Sequence, residues 1–274
     1  MESASQAPLG SWWTRVTPDW ATFVNLAEIA CGDGSTSGNA FRGQSNCQFS
    51  LRPSLLRLVM LSKLAVERAL DIERRISTEF AAHEHLYAIS PSEPIQGTVA
   101  WWPWMQHYGA PTRLLDWSLS PYVALYFAVE RDWEHDGVVW GFAVNELRRR
   151  MSQQFGCENA TVDPKLRSMF DSPTAPPHVS VVSSERYSER MSRQQGLFTL
   201  CTNIMADHAD AIGGQLPGEN GVAHSFKFVV PRTAKPDFLR RLRRLNITAL
   251  SLFPGPDGLG RSLGELVRLG SFGN

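Results

Sequence analysis

Apolar residues recur at helical spacing through "PDWATFVNLAEIAC" (residues 18–31), and "GDGSTSGNA" then breaks the pattern with Gly and Ser, which predicts a helix followed by a loop. A long helix or helical pair is expected from Ser62 to Ile89, ended by "SPSEP", and "TVAWWPWMQHYG" opens a further apolar segment. "TRLLDWS" alternates as a strand would. It puts Arg113, Leu115 and Trp117 on one side and Thr112, Leu114, Asp116 and Ser118 on the other. Beyond it, Ser120 suits an N-cap and Pro121 the first position of an apolar helix. "GVVWGFAVN", "QQGLFTLCTN", "AHSFKFVVP" and "ITALSLFP" have strand composition, with "KPDFLRRLRRL" a helix between the last two. The polar, Pro-containing run from Ser152 to Val182 reads as a loop or insertion. Helices thus dominate the first half and strands the second, an α+β fold in which a helical N-terminal half packs on an antiparallel or mixed β core.

Composition narrows the function classes. With 274 residues, 43% hydrophobic, the chain can bury the core of one large domain. Lys plus Arg (27) equals Asp plus Glu (27), so no global field draws it to nucleic acid or to an anionic membrane. Nucleic-acid binding would have to use the local patch "RRLRRLN" (Arg240 to Asn246), whose apolar positions Phe238, Leu239, Leu242 and Leu245 read instead as one face of an amphipathic helix. Cys31, Cys47, Cys157 and Cys201 form no CxxC pair and have no His at ligand spacing, so no metal is expected, and His83 and His85 at i, i+2 do not share a helix face. No signal-peptide pattern opens the chain, and no run approaches a membrane span. The expectation is a soluble, cytoplasmic protein with reduced thiols and no membrane partner.

Candidate chemistry concentrates in three places. In "FRGQ" (Phe41 to Gln44) the planar guanidinium of Arg42 suits a pyrophosphate or carboxylate, and Gly43 lets a ligand approach the backbone. In "QHYGAPTRLLDWS", Asp116 and Ser118 share a strand face just before a helix N-terminus that favours phosphate, and a base or ring could stack on Tyr108 or Trp117. The structural alternative is that Asp116 pairs with Arg113 or Arg42 and the aromatics are core. In "RQQGLF", Gln194 and Gln195 head a strand, where they could fix a ligand amide or ribose hydroxyl or simply close a turn.

In this order, "FRGQ", "WMQHYGAPTRLLDWSLSPYVALYFA", "RQQGLFT" and "ITALSLFPGPDGL" resemble the FRG domain family, named for the Phe-Arg-Gly at Phe41 to Gly43. The resemblance implies an FRG domain over about residues 41–270, with the insertion near 152–182 and a helical extension over 1–40. More distantly, the layout is similar to the Arg-Ser-Glu class of ADP-ribosyltransferases. That similarity implies an ADP-ribosyltransferase-like core and NAD as substrate, without a metal. Arg42, flanked by Gly43 and Gln44, would grip the phosphates, with Arg113 nearby; Asp116 or Ser118 would sit beside the nicotinamide ribose, and Tyr108 or Trp117 would be the ring partner. His107 would act as base. Where that class offers a catalytic Glu, this chain has Gln194 and Gln195, so a carboxylate would have to come from Asp116, Glu73 or Glu189. The expected activity is ADP-ribosyl transfer to a macromolecular acceptor, or NAD cleavage, of the kind used by bacterial toxins and phage-defence effectors. The alternative is a module that binds a nucleotide without catalysis.

Overall fold

A computed structural model of the chain describes residues 12–32, 38–87, 102–156, 168–182, 188–219 and 221–270. It shows a mixed α+β architecture built on a sheet of seven strands in the order β1-β7-β4-β2-β3-β6-β5. The strands are β1 (Trp13–Val16), β2 (Asn39–Gln44), β3 (Leu114–Ser118), β4 (Gly137–Ala143), β5 (Val179–Val182), β6 (Gly196–Cys201) and β7 (Ser225–Val230). All neighbours run antiparallel except β1 and β7, which are parallel.

The helices are α1 (Trp20–Cys31), α2 (Ser54–Leu61), α3 (Val66–His83), α4 (Trp102–His107), α5 (Pro121–Val129), α6 (Val144–Phe155), α7 (Glu189–Arg193), α8 (His208–Gln215), α9 (Lys235–Arg244), α10 (Ala249–Leu252) and α11 (Pro256–Leu269). They cover both faces of the sheet. Phe41, Val139, Phe226 and Phe228 pack with α1, α5 and α9 on one face. Ala40, Trp117, Val138 and Trp140 pack with α6 and α8 on the other. Alternation along β2 and β4 makes this division, because successive side chains of a strand point to opposite faces.

Helix α5 lies closest to the sheet. Its N-cap is Ser120, whose side chain accepts from the Val123 amide, and Pro121 occupies the first turn as expected. It is apolar all round because it is enclosed all round: Val123, Ala124, Leu125, Tyr126, Ala128 and Val129 are buried. Gly43 and Gly137 admit it. A Cβ on Gly43 would lie 1.8 Å from the Ala124 carbonyl oxygen, and one on Gly137 would lie 2.4 Å from that of Ala128.

Several sequence expectations change. The helix or helical pair expected from Ser62 to Ile89 begins only at Val66, as α3 followed by a 3-10 turn at Glu84–Tyr87, and α2 ends before it, with Lys63 between α2 and α3 in the left-handed region at φ 51°. "ITALSLFP" is not a strand: Thr248 and Ser251 form a capping box that starts α10. The Pro of "GPDGL" then sits in the first turn of α11. Within the run read as an insertion, α6 continues to Phe155 and β5 pairs with β6 at the sheet edge. The residues before 40 contribute not only α1 but also β1, an edge strand of the same sheet. Helices therefore occur throughout the second half as well. Cys157 lies outside the described residues.

Candidate functional site

The site arises where two neighbouring strands part. β2 pairs with β4 along its whole length but meets β3 only at Phe41 and Ser118. Beyond that point the carbonyl of Asp116 has no strand partner on the β2 side. Arg42 supplies one, its Nη1 donating to that oxygen at 2.7 Å. The Arg42 side chain thus takes the place of a ladder partner for this backbone acceptor. The same Nη1 lies 3.8 Å from the Asp116 carboxylate, a long contact to a side chain that is 61% exposed. Burial pulls the Arg42 guanidinium down from its ordinary value, Asp116 opposes that pull and Arg57 adds to it. The Arg42 Nε is buried without a hydrogen-bond partner.

A cavity of about 270 Å³ opens beside this gap, between β2, β3, α4, α5 and α7. Its polar wall is Arg42, Gln106, His107, Asp116, Arg190 and Gln194, and its apolar wall includes Val123 and Phe127 of α5. Asp116 and Ser118 share the strand face that the alternation of "TRLLDWS" predicts, and both line the cavity.

Asp116 is held by a directed chain of hydrogen bonds. The Leu114 amide donates to Thr112 Oγ1 at 3.2 Å, Thr112 Oγ1 donates to Gln106 Oε1, and Gln106 Nε2 donates to Asp116 Oδ1 at 2.7 Å. Each amide end of Gln106 is thereby fixed. Ser118 is spent on the turn: its hydroxyl donates to the Gln194 carbonyl at 2.7 Å and accepts from the Ser120 amide at 3.0 Å. Gln194 in turn donates to the Leu252 carbonyl at 3.1 Å, tying the head of β6 to α10.

His107, at the end of α4, faces Ser188 at 3.4 Å. Burial lowers its pKa, and Arg190 lowers it further, both favouring the neutral imidazole. Arg190 was not singled out by the sequence, yet it lines the cavity and stacks over the Phe253 ring at 4.8 Å. Arg261 stacks over the same ring at 4.2 Å. Burial lowers the Arg190 pKa most, with Asp116 acting in the opposite direction.

Several expected site residues are engaged elsewhere. Arg113 is buried in a bidentate pair with Glu73 and donates also to the carbonyls of Thr202 and Phe170, at 3.1 Å each. That pair removes both Arg113 and Glu73 from the cleft. Gln44 accepts from Trp140 Nε1 at 2.7 Å and donates to the Ser50 carbonyl at 3.1 Å, on the opposite face. Trp117 borders the cavity, but its ring is packed in the core, its Nε1 donating to Thr199 Oγ1 at 2.8 Å and the ring lying T-shaped to that of Phe142. Tyr108 is 48% exposed and packs on Trp104 and Phe80 outside the cavity. Gln195 is exposed, at φ 48°, in the turn before β6. Glu189 is ion-paired with Arg193 at 2.6 Å on the surface. Among the described residues lining the cavity, Asp116 is therefore the one carboxylate.

The basic run on α9 is a solvated face: Phe238, Leu239 and Leu242 are buried, while Arg241 pairs with Asp237 and Arg243 with Glu265. Leu245, expected on the apolar face, is exposed. Glu146, Glu219 and His224 cluster closely enough to hold a cation, but outside the cleft, and both carboxylates are already paired with arginines. No helix among the described residues is long and apolar enough to cross a membrane.

A seven-stranded mixed sheet with a cleft at its strand divergence defines the architectural class. Residues 37–137 match the family model of the FRG domain. The matched span holds the Phe-Arg-Gly motif, Gln106, His107, Asp116 and α5, whereas Arg190 and Gln194 close the cavity from outside it. No curated protein and no solved structure matches the chain.

Proposed function

We propose that this cleft binds NAD or a related nucleotide and that the protein is an ADP-ribosyltransferase-like enzyme, transferring ADP-ribose to a macromolecule or cleaving NAD. The observation that carries the reading is the meeting of Arg42 with Asp116 at the strand gap, one cation and one oriented carboxylate on a single cavity wall. Ligand pockets commonly run from roughly 300 to 1,000 Å³. A cavity of about 270 Å³ takes a nucleoside-sized group, so the nicotinamide riboside half would enter it and the remainder would extend outside.

In this reading the bond from ribose C1′ to the nicotinamide nitrogen breaks, and its electron pair leaves with nicotinamide. Positive charge grows on the ribose, and Asp116 stabilises it from the cavity wall, taking from another direction the role that Glu has in the resembled class. Water or an acceptor nucleophile then bonds to C1′, and neutral His107 takes the proton it releases. Arg42, in the cavity wall, would hold a phosphate.

Incubation with NAD and measurement of nicotinamide release tests this directly. Release lost in Asp116→Ala and in Arg42→Ala supports the enzyme; release retained in Asp116→Ala refutes the role given to that carboxylate. A second reading, a binding module without turnover, is favoured by the hydrogen bond that Gln106 gives Asp116 and by Gln194 standing where the resembled class has Glu. Saturable NAD binding with no release in the wild type would select it.

A further inference from the structure

The cleft has a second chamber. A cavity of about 170 Å³ shares Arg42, Gln106 and Asp116 with the first and is completed by Ser54 and Arg57 of α2 and by the Gly109–Ala110 turn. Two arginines face it against one carboxylate, and that carboxylate is already engaged by Gln106. Arg57 donates one N–H to the Arg52 carbonyl at 2.7 Å and has no carboxylate partner among the described residues. Arg42 stands in the wall common to both chambers with its Nε unpartnered. Arg57 and Arg42 repel one another across the space they line, an arrangement that an anion between them would relieve.

We propose that this smaller chamber is a phosphate subsite, in which a phosphate or pyrophosphate group is held by Arg57 of α2 together with Arg42. The guanidinium fork matches phosphate oxygens in pairs. The volume is too small for a nucleoside. An extended nucleic-acid backbone is disfavoured by the chain's zero net charge. That the rest of the ligand lies in the larger chamber rests on the nucleotide reading above; the anion subsite itself does not.

The test is calorimetric titration of inorganic pyrophosphate, ADP-ribose and nicotinamide riboside into the wild type, Arg57→Ala and Arg57→Lys at low salt. Arg57 is exposed, so its variants keep the fold, checked by circular dichroism. Loss of one charge-assisted contact weakens binding roughly tenfold or more. Arg57→Ala should weaken pyrophosphate and ADP-ribose to that extent and leave nicotinamide riboside unchanged; Arg57→Lys, which keeps the charge and loses the fork, should fall between. Pyrophosphate that fails to bind, or binds equally well to Arg57→Ala, overturns the subsite. Pyrophosphate binding that needs Arg57, in a protein that neither binds nor cleaves NAD, upholds the subsite and removes the NAD reading alone.

Discussion

The Gly of the Phe-Arg-Gly motif makes a sharp prediction. In Gly43→Ala the new Cβ would lie 1.8 Å from the Ala124 carbonyl oxygen, 2.8 Å from its carbon and 2.7 Å from the Ala128 amide nitrogen. All three atoms are backbone of α5, so no rotamer change relieves the clash, and the helix must retreat by roughly 1.5 Å to regain ordinary contact distance. Overpacking a core costs about 1–3 kcal/mol, and a backbone-on-backbone clash belongs at the upper end. Ala at a position with ordinary φ also gains about 0.4–1 kcal/mol by restricting the unfolded chain, which leaves a net loss of about 2 kcal/mol. Urea unfolding followed by tryptophan fluorescence reads this as a lower midpoint. Gly264→Ala is the matched control: it lies inside α11, its Cβ would meet nothing within 4 Å, and helix propensity alone should stabilise it by up to about 1 kcal/mol. Because α5 supplies Val123, Ala124 and Phe127 to the cavity wall, Gly43→Ala should weaken ligand binding as well. A Gly43→Ala midpoint equal to or above the wild type would refute the packing argument.

Arg113→Leu should destabilise the fold by about 3–5 kcal/mol, because it strands the buried Glu73 carboxylate; a folded Arg113→Leu protein with unchanged stability and lost ligand binding would return Arg113 to the site. Acid should destabilise the protein in two stages. Burial holds His208 down at about 3 in the folded state against 6.5 for the free group, so between those values the unfolded chain binds the extra proton and stability falls with pH at about 1.4 kcal/mol per unit. Glu146, lowered from 4.5 to about 2 by Arg149 and Arg150, adds a further loss below pH 4.5. Thermal melts of His208→Gln should lack the first stage and keep the second; an unchanged profile would remove His208 as its cause. Gln106→Leu frees the Asp116 carboxylate from its donor and should lower ligand affinity or turnover while leaving the melting temperature within about 2 °C, since the group lies at the surface of the cleft; full activity would show that Asp116 needs no orienting partner.

Local signals in the sequence carried far. The β2 motif, the strand faces of "TRLLDWS" and the Ser120-Pro121 helix start all follow from spacing and capping, which act within a few residues. The errors lie where longer-range packing decides. "ITALSLFP" has strand composition, but the Thr248–Ser251 capping box and burial of Ala249 and Leu252 against the α5 side of the sheet make it helical. Arg113 and Asp116 are both candidate site residues in "TRLLDWS", on opposite sides of its alternation. Alternation sends Arg113 to the buried Glu73 and Asp116 to the cleft, and only the position of α3 shows that the first has a partner. Arg190 could not be read at all, because the turn that brings α7 to the cavity is set by the pairing of β6 with β3.

The most direct test of the account is calorimetric titration of NAD into the wild-type protein and Arg42→Ala, with folding of the variant confirmed. The account predicts saturable binding that Arg42→Ala weakens by about 1.5–3 kcal/mol, the range for a charge-assisted hydrogen bond. NAD that does not bind, or that binds a folded Arg42→Ala protein as tightly as the wild type, would contradict it.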